Sequence, residues 1–256
     1  MKKILMLCIG IVVLWGCQKE HELFLHEESE FIGSRAPGDY VFSQFYIPYS
    51  GSIFPWENKR ALTTEEMNHL AHSFNIYLPA SSPVWYKIWD EFRLRQVKVM
   101  IGIDKTLDKN SGAYYRQGTI FFNEDYIKRE LFYFQHELLH VVQQFVLGYD
   151  MDSEVGMRNH EYEVAIVLDI LNVFSRKSTL DDPREYFGRP AGEAGENYDK
   201  FMKEIVKSSI EGRLMVNSDT FQFHAWINEW GGYRDCDYQA SLMPRLVMCM
   251  INMLFE

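Results

Sequence analysis

Residues 135–144 read Gln135-His136-Glu137-Leu138-Leu139-His140-Val141-Val142-Gln143-Gln144, and the fold is read outward from them. His136 and His140 are four positions apart. On an α-helix such residues sit one turn above each other with Cβ atoms about 5–6 Å apart, so both imidazoles can converge on one ion. Zinc at about 2.0–2.1 Å from each ring nitrogen would leave Glu137 beside the ion, where a general base belongs. Leu131, Phe132 and Phe134 before this stretch, and Phe145 and Val146 after it, are apolar nearly all the way round, which predicts a helix buried on most sides. Two histidines and a glutamate taken out of water need partners, and a metal supplies one.

A third protein ligand is expected downstream. Gly148 reads as a C-cap, residues 149–159 as a polar loop, and His160 to Leu171 as a second buried helix. Twenty residues lie between His140 and Glu161. H-E-x-x-H followed at this distance by a helix glutamate resembles the gluzincin branch of zinc metallopeptidases, and the HELLHVVQQ run resembles a group of bacterial metallopeptidases. The resemblance covers His136 to Asp169. It implies an α+β, zincin-like fold: a small mixed or antiparallel sheet packed on the H-E-x-x-H helix, with a mainly helical C-terminal half. It also implies Zn2+ held by His136, His140 and Glu161, with Glu137 as the base. In the family pattern an Asp four positions beyond the glutamate ligand braces a zinc histidine; here that position is Ala165. The brace is therefore open, and Glu163 stays as the alternative ligand. Residues two apart point to different sides of a helix, so only one of Glu161 and Glu163 can reach the ion. Glu154 is the next acid in line. By the same resemblance a second electrophile lies in the C-terminal segment, with His224, Tyr233 and Tyr238 as candidates; His224, among the aromatics of residues 221–230, also reads as a packed, hydrogen-bonded histidine.

The N-terminus reads as a targeting segment. Lys2 and Lys3 precede an apolar run, residues 4–16, that is too short to span a bilayer but suits a signal peptide. Leu14-Trp15-Gly16-Cys17 resembles a bacterial lipobox, which implies lipid on Cys17 and a membrane anchor through it. The following Gln-Lys-Glu-His-Glu resembles the acidic signals of surface-exposed lipoproteins in Bacteroidetes, implying the outer membrane of a cell envelope. Residues 17–37 read as a tether. Residues 38–256 read as one domain, with the sheet and active-site helix in 38–147 and the glutamate helix and helical subdomain in 148–256. The 47% hydrophobic content supports a sizeable core, and a net charge of −10 weighs against nucleic acid as a partner. Cys236 and Cys249 remain as a pair that an oxidising envelope could join or leave free. Oligomeric state is not legible.

The remaining elements follow from pattern. Thr63-x-x-Glu66 is a capping box opening a helix through Phe74, and Val84 to Leu94 is another helix. His69 and His72, three apart on the first of these, lack an acid to complete a metal set and fit a solvated face. Residues 96–103, 113–116 and 118–123 read as strands, 181–197 as an irregular loop, and 198–210, 221–230 and 241–255 as helices. A strand at the sheet edge beside the active-site helix would bind an extended peptide by β-augmentation. The expectation is a membrane-anchored zinc peptidase acting on a peptide or protein. Its rivals are a catalytically silent zinc-bearing lipoprotein that binds a peptide or glycan, a cell-wall peptide amidase, and a purely structural surface protein.

Overall fold

The computed structural model describes residues 45–46, 58–72, 82, 84–108, 111–116, 118–125, 131–217 and 219–255. The chain divides into Met1–Ala36 and Pro37–Glu256, and every described residue lies in the second unit. The signal segment, Cys17, the 17–37 tether and the start of the domain at 38 lie outside the described residues, as do the end of the first helix at Phe74 and the side chain of His72.

Two strands form the centre of the sheet because their sequences suit burial on both faces. β3 (Val99–Asp104) and β5 (Thr119–Asn123) run parallel in register Ile101↔Ile120 and Ile103↔Phe122, and β5 is buried along its whole length. On the far edge of β3, β1 (Phe45–Tyr46) pairs parallel and β2 (Lys59–Arg60) antiparallel. β4 (Ala113–Arg116) pairs antiparallel with β5 and ends the sheet, whose order is β1-β3-β5-β4 with β2 on β3. Successive side chains of β4 face opposite ways. Tyr114 stacks on Phe121 at 5.1 Å and donates to Asp104 at 2.8 Å, whereas the Tyr115 hydroxyl donates to Gln144 of the next helix. The edge strand thus lies against the helix that carries His136 and His140.

α1 (Thr64–His72) opens with the expected capping box: Thr63 N–H donates to Glu66 at 2.7 Å and Glu66 N–H to Thr63 Oγ1 at 3.2 Å. α2 (Val84–Leu94) buries Val84, Trp85, Ile88, Trp89 and Phe92, the stripe its spacing predicts. α3 (Leu131–Phe145) is the H-E-x-x-H helix, and Gly148 beyond its end takes φ 70°. α4 (Met157–Arg176) starts within the stretch read as loop and runs past Leu171. Its polar first turn becomes helical through tertiary partners that spacing does not reveal. Gly156, at φ 71°, donates to the Asp237 carboxylate at 2.8 Å, and a Cβ there would run into Leu242. Arg158 donates to the carbonyls of Ile227 and Trp230, and Asn159 exchanges two hydrogen bonds with the backbone of Gln239.

The Pro- and Gly-rich segment is shorter than its composition suggests. It holds a 3₁₀ turn at Pro183–Glu185, and α5 (Gly192–Glu211) begins well before Tyr198. Gly195 allows this, because a Cβ on it would collide with the Pro190 carbonyl and the Arg189 guanidinium, itself paired with Asp199. α6 (Phe223–Glu229) and α7 (Arg245–Phe255) complete the chain, α7 starting just after Pro244 instead of at Ser241. The class is α+β, with a small mixed sheet and two helices in the first half and helices throughout the second. α4 is buried on nearly every side, and Arg158, Asn159, Glu163 and Asp169 each pin a different segment of the surrounding shell.

Candidate metal centre

α3 and α4 bring His136, His140 and Glu161 together. The two Nε2 atoms are 3.1 Å apart, His136 Nε2 lies 3.2 Å from Glu161 Oε2, and His140 Nε2 lies 3.3 Å from Glu161 Oε1. Three donors arranged tetrahedrally about 2.0–2.1 Å from one ion would be about 3.3 Å from each other. The observed separations are of that order, with each histidine facing a different oxygen of Glu161. Glu161 Oε2 is buried and makes no hydrogen bond, a cost that a cation, or a proton on the His136 ring 3.2 Å away, would offset. Among the described residues this is the one group of three or more His, Cys, Asp or Glu side chains able to hold an ion. Glu161 is the acid that stands with the two histidines, and among the described residues His69 joins no such set.

The electrostatics favour positive charge in the same place. Burial alone would push His140 down, but Glu161 and Glu137 outweigh it and raise the imidazole to about 9. Burial likewise works against ionised Glu161, yet His140 and His136 hold its carboxyl well below the ordinary glutamate range. A proton shared in this cluster and a divalent cation are two answers to one field.

The brace that the sequence left open is Gln143. Its side-chain nitrogen donates to the His160 carbonyl at 3.0 Å, which fixes the amide so that Oε1 meets His140 Nδ1 at 2.8 Å. Nδ1 then carries the hydrogen and Nε2 presents its lone pair to the cluster. Gln143 is fully buried and three positions beyond His140, so the i, i+3 spacing was the signal that could have found it.

Glu137 lies beside the donors without joining them. Its carboxyl is 4% exposed; burial pushes its pKa up, against the pull of His136, His140 and a hydrogen bond from the Tyr115 backbone amide on β4. A carboxylate held closer to neutrality is a better proton acceptor.

Glu163, the alternative ligand, faces elsewhere. It accepts from Tyr149 Oη at 2.9 Å and from Leu246 N–H at 2.6 Å, capping α7, and burial raises it to about 8. Glu154 is exposed and borders a neighbouring cavity. Of the three candidate electrophiles, Tyr233 lies nearest the centre: burial and then the charges of Glu161 and Glu137 push its hydroxyl up, its ring stacks on Trp230 at 6.0 Å, and its backbone is held at φ 50°. His224 packs on Phe223 and shares a 3.1 Å hydrogen bond with Tyr238. Cys236 and Cys249 are both free thiols.

Compared with protein-family models, curated proteins and solved structures, the chain matches none.

Proposed function

We propose that the chain is a zinc-dependent peptidase of zincin-like design, with His136, His140 and Glu161 as the metal ligands and Glu137 as the general base. One observation carries the reading: two imidazole nitrogens and a buried glutamate converge at 3.1–3.3 Å, and one of the carboxylate oxygens makes no hydrogen bond. Two histidines and a glutamate are a donor set that suits zinc and leaves an open position. A zinc ion bound there would supply Lewis acidity, polarising a scissile carbonyl and acidifying the attacking water.

The protein's own groups do the rest. Glu137 takes the proton from the water and delivers it to the leaving amine nitrogen. Tyr233, which lies nearest the centre, donates a hydrogen bond to the carbonyl oxygen as charge grows on it. Among the described residues β4 has one strand partner, β5, and in this reading its other edge pairs with an extended peptide. Attachment in this reading is the lipid on Cys17 at the outer membrane; among the described residues no helix is long and apolar enough to cross a membrane.

Glu137→Gln tests the proposal. The variant should keep one zinc per chain by elemental analysis and lose peptide hydrolysis by about 10²–10⁴-fold. Undiminished turnover would refute the role of Glu137. A wild-type protein that binds zinc but cuts neither peptides nor peptidoglycan would leave the binding lipoprotein as the better description; release of cell-wall peptides alone would make it the amidase.

A further inference from the structure

Three contacts around Gln143 close into a ring. Gly148, at φ 70°, turns the chain back at the end of α3, and the N–H of Tyr149 donates to the Gln143 backbone carbonyl at 2.8 Å. The Tyr149 ring lies against the His160 ring, with centroids 4.8 Å apart and planes inclined by 31°. The His160 carbonyl accepts from Gln143 Nε2 at 3.0 Å, which returns to the start. His140 hangs from this ring of contacts through Gln143 Oε1, and Glu161 follows His160 directly in the chain. The C-terminal end of α3 and the start of α4, each bearing a donor of the centre, are therefore joined through Tyr149.

Tyr149 is itself held from behind. Its hydroxyl donates to Glu163 Oε1 at 2.9 Å and accepts from Arg245 N–H at 3.2 Å, and the Arg245 guanidinium stands 5.5 Å from the ring centroid. The hydroxyl is committed to α4 and α7 and the flat ring to His160, so the two ends have separable roles. A side-chain amide aims a ligand only as well as its own anchor is placed, and the anchor of Gln143 is the His160 carbonyl. We infer that Tyr149 is a positioning residue for the metal centre, its ring setting His160 and, through Gln143, the aim of His140. The inference rests on the zinc reading for the occupant of the centre; the ring of contacts stands on the geometry alone.

Full-length wild type, Tyr149→Phe, Tyr149→Leu, Gln143→Met and the double variant Gln143→Met with Tyr149→Leu are compared by chelator competition for zinc, by the absorption spectrum of bound Co2+ and by urea unfolding. Tyr149→Phe keeps the ring: it should lose stability with the hydroxyl yet hold zinc within about twofold of wild type, with unchanged Co2+ bands. Tyr149→Leu removes the ring and should weaken zinc about tenfold, with altered Co2+ bands. Because Tyr149 acts through Gln143, the leucine change should cost little further zinc affinity once Gln143 is replaced by methionine. A merely structural tyrosine would give zinc affinity falling in step with stability in both single variants, or losses that multiply in the double variant, and either result overturns the inference. So does zinc bound by Tyr149→Leu as tightly as by wild type. If the leucine variant does not fold, Tyr149→Met takes its place under the same outcomes. A wild-type chain that takes up no zinc removes the zinc reading and this inference together; zinc uptake without the expected pattern removes the inference and leaves the zinc reading standing.

Discussion

Glu161 and Glu163 are two residues apart on one buried helix, and their surroundings are opposite. On the α7 side, Glu163 meets a tyrosine hydroxyl and a backbone amide; further along, Asp169 accepts from Phe187 N–H, Gly188 N–H and Tyr198 Oη at 2.7–2.9 Å. On the α3 side, Glu161 meets two imidazole nitrogens and has an oxygen with no hydrogen-bond partner. A buried acid whose oxygens already meet donors, and whose burial favours its protonated form, is part of the scaffold. A buried acid held ionised by two imidazoles, with one oxygen making no hydrogen bond, sits in a field that suits a cation. The difference is the ground on which Glu161, and not Glu163, is proposed as the ligand.

The largest expected effect breaks this comparison directly. Glu161→Ala should lower zinc affinity on the order of a thousandfold or more, while Glu163→Ala should keep one zinc per chain and lose about 3 kcal/mol of folding stability. Chelator competition gives the first and urea unfolding the second. Retention of zinc in Glu161→Ala, or its loss in a folded Glu163→Ala, would reverse the assignment.

Much of this was legible in the sequence. Period and capping chemistry located α2, the start of α1 and the strands around residues 99–123, because those elements carry their own signals: an apolar stripe, a Thr63–Glu66 box, runs of branched residues. The histidine pair was legible for the same reason, since i, i+4 spacing within a helix is local. What could not be read is set by long-range contacts. The first turn of α4 depends on Asp237, Ile227, Trp230 and Gln239, and the early start of α5 on a glycine that admits the Pro190 carbonyl. The choice between Glu161 and Glu163 depended on which face of α4 met α3, and only the packing decides that. The sequence names Tyr233 beside His224 and Tyr238, but which of the three lies near Glu161 depends on the path of a turn that its partners fix.

A smaller effect sharpens the scaffold side. Burial raises Glu163 to about 8, above its ordinary 4.5, so the folded chain holds a proton there that the unfolded chain releases. A raised folded pKa means stability fully present at low pH and lost as pH climbs from about 4.5 through 8, by up to about 5 kcal/mol at about 1.36 kcal/mol per pH unit. Asp169, raised by burial to about 7, adds slope in the same direction. Urea unfolding of the metal-free chain between pH 5 and 8 should therefore show falling stability, and Glu163→Gln, which mimics the protonated acid, should remove a large part of that fall. An identical slope in the variant would mean that the donors from Tyr149 and Leu246 keep the carboxylate ionised.

The smallest effect concerns how the side facing α3 is held ready. Gln143 touches no substrate; it joins the His160 carbonyl to His140 Nδ1, and so ties the orientation of one ligand to the helix that carries another. Gln143→Met keeps the volume and removes both hydrogen bonds, which should weaken zinc about 10–100-fold with the fold intact. Gln143→Glu restores the acceptor for Nδ1 but forfeits the donor to His160, so it should recover only part of the loss. If the methionine variant bound zinc as tightly as wild type, packing by Val141 and Val142 around the imidazole would be enough to aim it, and the amide would belong with Glu163 and Asp169 among the groups that merely hold helices together.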